Sequence, residues 1–561
     1  MATRRKTIPR WGWGQQKLLE IFGVDLRSLA ALRIVLALTV LFDLASRATN
    51  LAVHYSDGGI LPRRVQSEKI DPWLFSLNFI NGTAEFQWAL FAVAALAAVA
   101  MLIGYRTRLM VVIVWLLVMS IQWRNYLVGY SADELLRLLL FWSMFLPLGA
   151  CWSVDRLRGA VPDPPSTRVL SVATAGLFLQ IAFVYWFTAL LKTGPEWRVD
   201  GTALYYALSA KQIVTPIGAY LLQFPDVLKL LTFGTLVVEI VAPLLLFSPF
   251  FTVPARIAGI IGVVGLHAGI AMTLAVGYFP WIGAACMVCF LPSWFWDSLV
   301  PQIRLDPRRL FSRVRPTWQA VAGIGHPSWA VPWMRLLSPA GVGRLSIAEL
   351  PHVMSGHGAA ARAGRSGAGE AAPASQQVGL RTSRRGPLAV NLFASACLIF
   401  VLLWNLSTIS VSAVPGVARP FGFFLGLPQY WGMFAPYPVK STMWFIAPGI
   451  LQDGRQIDLL PSAIEDNPHL FAEVDRGEPI DVRATFNGEE RWRKVFESLA
   501  NSGDSDVLLT LGQYICRNWN GTNAGTPSQL MTFDIVQLWE QTMEDNQRGP
   551  VQQHVLWSHV C

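Results

Sequence analysis

An all-α polytopic membrane protein with a small C-terminal α+β domain is the fold class the sequence predicts, and three observations predict it. Hydrophobic residues make up 53% of the 561 and charged residues only 14%, at a mean hydropathy of +0.40. A single soluble globule cannot cover so apolar a chain with so few charges. The apolar residues also gather into runs near the ~20 residues that a helix needs to cross a bilayer. Beyond residue 411 those runs stop and short strand-like and helical patterns begin.

Spanning helices are expected at about 28–46, 87–104, 108–123, 133–150, 168–191, 226–248, 256–275, 278–296 and 388–410, about nine in all. The segments 108–123 and 133–150 are short and polar at one end, which leaves eight or ten open. The chain then divides into an interfacial segment 1–19, a transmembrane domain 20–300, a linker 301–387, a ninth helix 388–410 and a tail 411–561.

The net charge of +9 sits in particular loops, a distribution that membrane topology explains and nucleic-acid binding does not. Arg4, Arg5, Lys6, Arg10 and Lys17, the turn with Arg106 and Arg108, the loop with Arg156, Arg158 and Arg168, and the segment 297–387 with twelve arginines against four acids all fall on one side of nine spans. The amino terminus is therefore expected in the cytoplasm of a bacterial plasma membrane and the tail outside it. Only the loop 47–86, with Arg47, Arg63, Arg64 and Lys69, dissents. The first 20 residues are polar and basic, so no cleavable signal peptide is expected and the first span serves as its own insertion signal.

The linker turns from Arg-rich to the Ala/Gly-rich GHGAAARAGRSGAGEAAPASQQ, a flexible composition. In the tail, MWFIAPGILQDGRQIDLL reads as two strands around an Asp453–Gly454 turn, ERWRKVFESLA and VLLTLGQYICRNWN as helices, and MTFDIVQLWEQ and QHVLWSHVC as strands. Cys516 and Cys561 are the tail's two cysteines and could pair if that side is oxidising. Cys151 and Cys397 read as small buried hydrophobes, and Cys286 and Cys289 form a C-x-x-C whose burial argues against redox chemistry. No metal site is implied.

Charges inside the apolar runs are expensive unless paired or facing a wet cavity. Arg33, Asp43 and Arg137 are expected to tie helices together as ion pairs. Asp133, Glu134 and Glu239 could equally line a substrate cleft, and His267 reads more simply as a satisfied core histidine. Lys192 closes QIAFVYWFTALLKTGPEW beside a tryptophan, where an amine can lose its proton more easily than in water. It is the first candidate for catalysis, against the plain reading of a snorkelling anchor.

DLRSLAALRIVLALTVLFDL, HYSDGGILPRR, LIGYRTRL, WRNYL, LLRLLLFWSMFLPLGACWSVD and ALLKTGPEWRVDGTALYYAL, in that order, resemble the horizontally transferred transmembrane (HTTM) domain family, which contains vitamin K-dependent gamma-carboxylase. QYWGMFAPYP is similar to the tail that follows this domain in bacterial members. The resemblance implies an enzyme that oxidises a reduced quinone, such as vitamin K hydroquinone, to make a strong base for carboxylation. It also implies that Lys192, five residues before Trp197, deprotonates the hydroquinone. In an enzyme of this type Glu239 and His267 are the expected auxiliary polar groups. The carboxylase's histidine ahead of the helix beginning Ala132–Asp133–Glu134 is missing here, and the tail is far shorter than the portion that grips a propeptide. The other reading is a non-catalytic membrane partner or maturation factor for a secreted peptide; a transporter is weaker, because no repeated halves are visible.

Overall fold

The computed structural model describes residues 13–161, 166–299, 386–409, 413–543 and 547–561. The expected linker up to residue 385 and the basic residues 1–12 lie outside the described residues. Among those described, seven helices are long and apolar enough to cross a membrane, or eight if a bent pair counts as one span. They are α1 (Leu26–Ala48), α2 (Ala84–Ile103), α3 (Thr107–Arg124), α5 (Val172–Leu191), α6 (Pro225–Leu246), α7 (Thr252–Thr273) and α9 (Gly386–Ile409).

Two expected spans differ. The fourth, α4, covers only Ser131–Ser143; Pro147 and Gly149 follow, and the chain turns although the side chains stay apolar to residue 150. The eighth is split: α8 (Phe279–Ala285) runs into a 3-10 turn to Phe290, and the helix resuming at Ser293 after Pro292 is bent from it by 95°. Capping agrees with the sequence elsewhere. Asp25 and Thr83 accept from the first turns of α1 and α2, and Gly104 ends α2 in the left-handed region at φ 71°.

The tail is an antiparallel sheet packed on two helices. Its strands are β1 (Ser441–Ile446), β2 (Pro448–Leu451), β3 (Gln456–Asp458), β4 (Leu530–Gln541) and β5 (Gln552–Val560). The strand expected over MWFIAPGIL breaks at Ala447–Pro448, and both halves pair with β4, Ile446 opposite Val536 and Gly449 opposite Phe533. β2 and β3 form the expected hairpin, with Gly454 at φ 87° in its turn. β5 covers the other edge of β4, and Cys561 after it is disulfide-bonded to Cys516. The helices are α10 (Glu490–Ser502), whose apolar face buries Trp492, Val495, Phe496 and Leu499, and α11 (Ser505–Asn523).

The tail is locked to the helical bundle by charge. Arg491 of α10 is buried and donates to Asp43 of α1, to Asp133 of α4 at 3.2 Å and to the carbonyl of Val128 at 2.8 Å. Arg47 bridges the same two carboxylates at 2.8 and 2.7 Å, and the Tyr278 hydroxyl donates to Asp133 at 2.8 Å. Two arginines thus neutralise two aspartates, all four side chains at most 5% exposed. Around it, Asn50 donates to Glu489 at 2.6 Å, Thr510 to the Ile60 carbonyl at 2.8 Å and Lys69 to Asp506 at 2.9 Å.

Candidate functional site

Tyr185, Thr188 and Lys192 follow one another at helical spacing on α5, so their side chains share a face. Lys192 is the cap residue of that helix; its amide donates to the Thr188 carbonyl and its own carbonyl accepts from Arg198 Nε at 2.8 Å. The ammonium is only 4% exposed. Its Nζ donates to Glu239 Oε1 of α6 and lies 4.3 Å from the centroid of the Trp197 ring. Trp197 is fixed in turn by a 2.9 Å bond from its Nε1 to the Phe434 carbonyl. Pro243, one turn after Glu239, has no N–H to return to the Glu239 carbonyl and loosens α6 beside the site.

These groups wall a cavity of about 500 Å³. His267 of α7 lines it, with Nε2 2.9 Å from the Tyr185 hydroxyl. Gly283 of α8 makes room for the imidazole, since a Cβ there would lie 2.2 Å from His267 Cε1. Much of the remaining wall is apolar, including Leu204, Ile213, Leu266, Leu274, Phe279 and Phe434. Three buried polar atoms of lining residues have no partner among the described residues: Glu239 Oε2, His267 Nδ1 and Gln212 Oε1. The tail closes the cavity with α10, where Arg493 pairs with Glu490 and Glu497, and Lys494 with Glu497 at 3.0 Å. Residues 23–294 match the HTTM domain family. This is an HTTM-domain membrane protein. No curated protein and no solved structure matches the chain.

Of the residues singled out in the HTTM domain, Lys192, Glu239 and His267 come together at this cavity. Asp133 and Glu134 do not. Asp133 belongs to the Arg47–Arg491 cluster, and Glu134 accepts from the Tyr430 amide at 2.8 Å. Both line a separate cavity of about 600 Å³, but there Asp133 is ion-paired and Glu134 accepts an amide hydrogen bond.

The expected structural charges are corrected in kind. Asp43 is ion-paired, whereas Arg33 donates to the carbonyls of Leu148, Cys151 and Trp152. Arg137 donates to Gly426 and Pro428 carbonyls at 2.8 and 2.9 Å and to Gln122 Oε1, with its guanidinium 4.6 Å from the Trp123 ring centre. Backbone carbonyls freed by turns serve these arginines in place of carboxylates. Cys286 and Cys289 are buried free thiols, as is Cys397, and Cys151 is free and half-buried.

Sequence reasoning missed Tyr185, Gln212 and the α10 roof. Tyr185 was readable, seven residues before Lys192. Gln212 lies in a loop, and Arg493 about 300 residues further along the chain, so no local pattern points to either.

Proposed function

We propose that this HTTM-domain protein is a membrane enzyme that moves a proton in the Lys192 cavity, with a reduced quinone as co-substrate and carboxylation as the reaction class. The observation that carries this reading is the buried Lys192–Glu239 pair at the wall of an apolar cavity whose lining residues keep three buried polar atoms without partners among the described residues. The volume of about 500 Å³ falls within the ~300–1,000 Å³ typical of small-molecule sites. Apolar walls suit a fused ring, and Glu239 Oε2 and Gln212 Oε1 are acceptors for ring hydroxyls. Bound there, a reduced quinone would supply, with oxygen, the strong base that the family resemblance implies.

The chain's own residues then have separable roles. Glu239 takes the Lys192 proton, and the neutral amine accepts a proton from the ligand hydroxyl. Trp197 flanks the nitrogen on its other side and fixes its position. Tyr185 holds His267 so that Nδ1 can face the ligand. The leucine and phenylalanine walls keep water from a carbanion. The Cys516–Cys561 disulfide fits a tail outside the cytoplasm, with the amino terminus inside.

The test uses full-length protein reconstituted in lipid with a reduced naphthoquinone, reading quinone binding and oxidation separately. Lys192→Ala and Lys192→Arg are both expected to keep the fold and lose oxidation by a factor of about 10² or more, because arginine keeps the charge but cannot act as a base near neutrality. Full activity in Lys192→Ala, or no quinone binding by the folded wild type, overturns the reading.

A further inference from the structure

The start of the tail does not leave the bundle. Residues from 411 onward are expected outside the membrane, yet the segment 413–431 turns back alongside α9. In its short helix, Arg419–Phe424, the Phe421 ring lies 6.1 Å from that of Phe393 and 6.3 Å from that of Phe400, and the Phe423 ring lies 5.6 Å from that of Trp404. Gly422 presses on α9 so closely that a Cβ there would overlap the Phe400 ring. At a rise of 1.5 Å per residue, Phe400 is about 14 Å and Phe393 about 24 Å back from the Ile409 end of a helix long enough to cross a bilayer. The returning limb is as deep. Gln180 Nε2 donates to Gln429 Oε1 at 2.7 Å, and Gln180 lies about 12 Å from one end of α5 and about 17 Å from the other.

Backbone at that depth must find its hydrogen bonds in protein, because lipid offers none. Arg137 of α4 donates to the carbonyls of Gly426 and Pro428 at 2.8 and 2.9 Å, Trp404 Nε1 to the Gln429 carbonyl at 3.0 Å and the Leu427 amide to the Gly422 carbonyl at 2.9 Å. Gly426 makes the turn at φ 62°. Leu427 and Trp431 are buried against the bundle, whereas Val417 is 93% and Phe424 56% exposed among the described residues. Phe393, in ring contact with Phe421, is itself exposed on α9, as are Leu392 and Ile399. The apolar face of the segment thus continues the side of α9 that a bilayer must cover. Arg419, at the start of the short helix, lines the cavity of about 600 Å³ with Ser407 and Thr408, so its charge reaches the level where α9 ends.

We propose that residues 413–431 are a re-entrant segment of the membrane domain that dips to near the middle of the bilayer, with Val417, Phe421 and Phe424 against lipid acyl chains. The tail outside the membrane then starts after Trp431. The segment stands or falls independently of chemistry at Lys192.

The experiment places a nitroxide spin label on Val417→Cys and, separately, on Phe424→Cys in full-length protein reconstituted in phosphatidylcholine vesicles, with the half-buried thiol removed by Cys151→Ser and the unlabelled parent as blank. Collisions of the label with oxygen, which dissolves in lipid, are compared with collisions with a water-soluble nickel chelate. Ile399→Cys on α9 is the lipid reference and Ile480→Cys in the tail the water reference; all four side chains are exposed, so the substitutions leave packing intact. The oxygen-to-nickel ratio at 417 and at 424 is expected within about twofold of the lipid reference and about tenfold or more above the water reference, because a polar chelate is excluded from hydrocarbon. A ratio at either position nearer to that of Ile480→Cys overturns the proposal.

Discussion

Arg491→Met is expected to destabilise the protein severely, although Arg491 does not itself line the Lys192 cavity. The cluster balances Asp43 and Asp133 against Arg47 and Arg491, and the variant leaves both carboxylates to Arg47. Lost with the guanidinium are its bonds to Asp43, to Asp133 at 3.2 Å and to the Val128 carbonyl at 2.8 Å. Breaking a buried pair costs about 3–5 kcal/mol. The surviving Arg47 bonds at 2.8 and 2.7 Å and the Tyr278 hydroxyl at 2.8 Å place the cost near the lower end, about 3 kcal/mol. Adding Asp43→Asn restores neutrality around Asp133 and Arg47, so the double variant should be less damaged than Arg491→Met alone. The assay is the thermal midpoint of full-length protein in mild detergent at one scan rate, with protease sensitivity of the tail as a second readout. A single-variant loss within about 1 kcal/mol, the range of an exposed pair, refutes the reasoning. So does a double variant at least as unstable as the single.

Three further outcomes are expected. Gly283→Ala should cost about 1–3 kcal/mol by overpacking against His267, and adding His267→Ala should recover most of it in the same thermal assay. Replacing Cys516 and Cys561 by serine should lower tail stability by up to about 4 kcal/mol in the loop-entropy picture for a sequence separation of 45 residues, and dithiothreitol should shift the wild type but not the variant. For Glu196, burial pushes the carboxyl up most, but the Lys440 hydrogen bond, a backbone amide and the Lys440 charge together outweigh it and hold the carboxyl below its ordinary 4.5; the same hydrogen bond holds Lys440 above its ordinary 10.5. The Glu196 contribution is therefore full above pH 4.5 and lost as pH falls through its folded value. The Lys440 contribution is full below pH 10.5 and lost as pH rises through its folded value. Lys440→Met should flatten both edges of a midpoint-against-pH curve, by a modest amount because Lys440 is 36% exposed.

Where the long helices lie was legible because a bilayer demands an apolar run of fixed length, and α1, α2, α3, α5, α6, α7 and α9 all satisfy that demand locally. Where they stop was less so. The run LLRLLLFWSMFLPLGACW is apolar apart from Arg137 and Ser143, yet α4 ends at Ser143, because hydropathy does not register the Pro147 and Gly149 turn. The break at Leu291–Pro292 has the same origin. In the tail, alternation and the Asp453–Gly454 turn identified the elements, but the split of the first strand at Pro448 depends on both halves finding β4, a partner some 80 residues away.

The site was legible in a different way. Apolar surroundings require that each intramembrane charge be partnered, so the sequence announces that Asp43, Asp133, Arg137, Lys192 and Glu239 have partners without saying which. The structure sorts them by what is left over. Asp43, Arg47, Asp133, Arg137 and Arg491 leave no buried polar atom unpartnered, and they hold helices and tail together. Glu239 spends one oxygen on Lys192 and keeps the other free, and His267 spends Nε2 on Tyr185 and keeps Nδ1 free, both at the wall of one cavity. Unspent hydrogen-bonding capacity in a dry place is destabilising by itself, and a ligand that satisfies it recovers that loss. Arg33 and Arg124 also keep an Nε without a partner among the described residues, so it is the gathering of such groups around one cavity beside a buried lysine, and not a single leftover atom, that marks the Lys192–Glu239 pair.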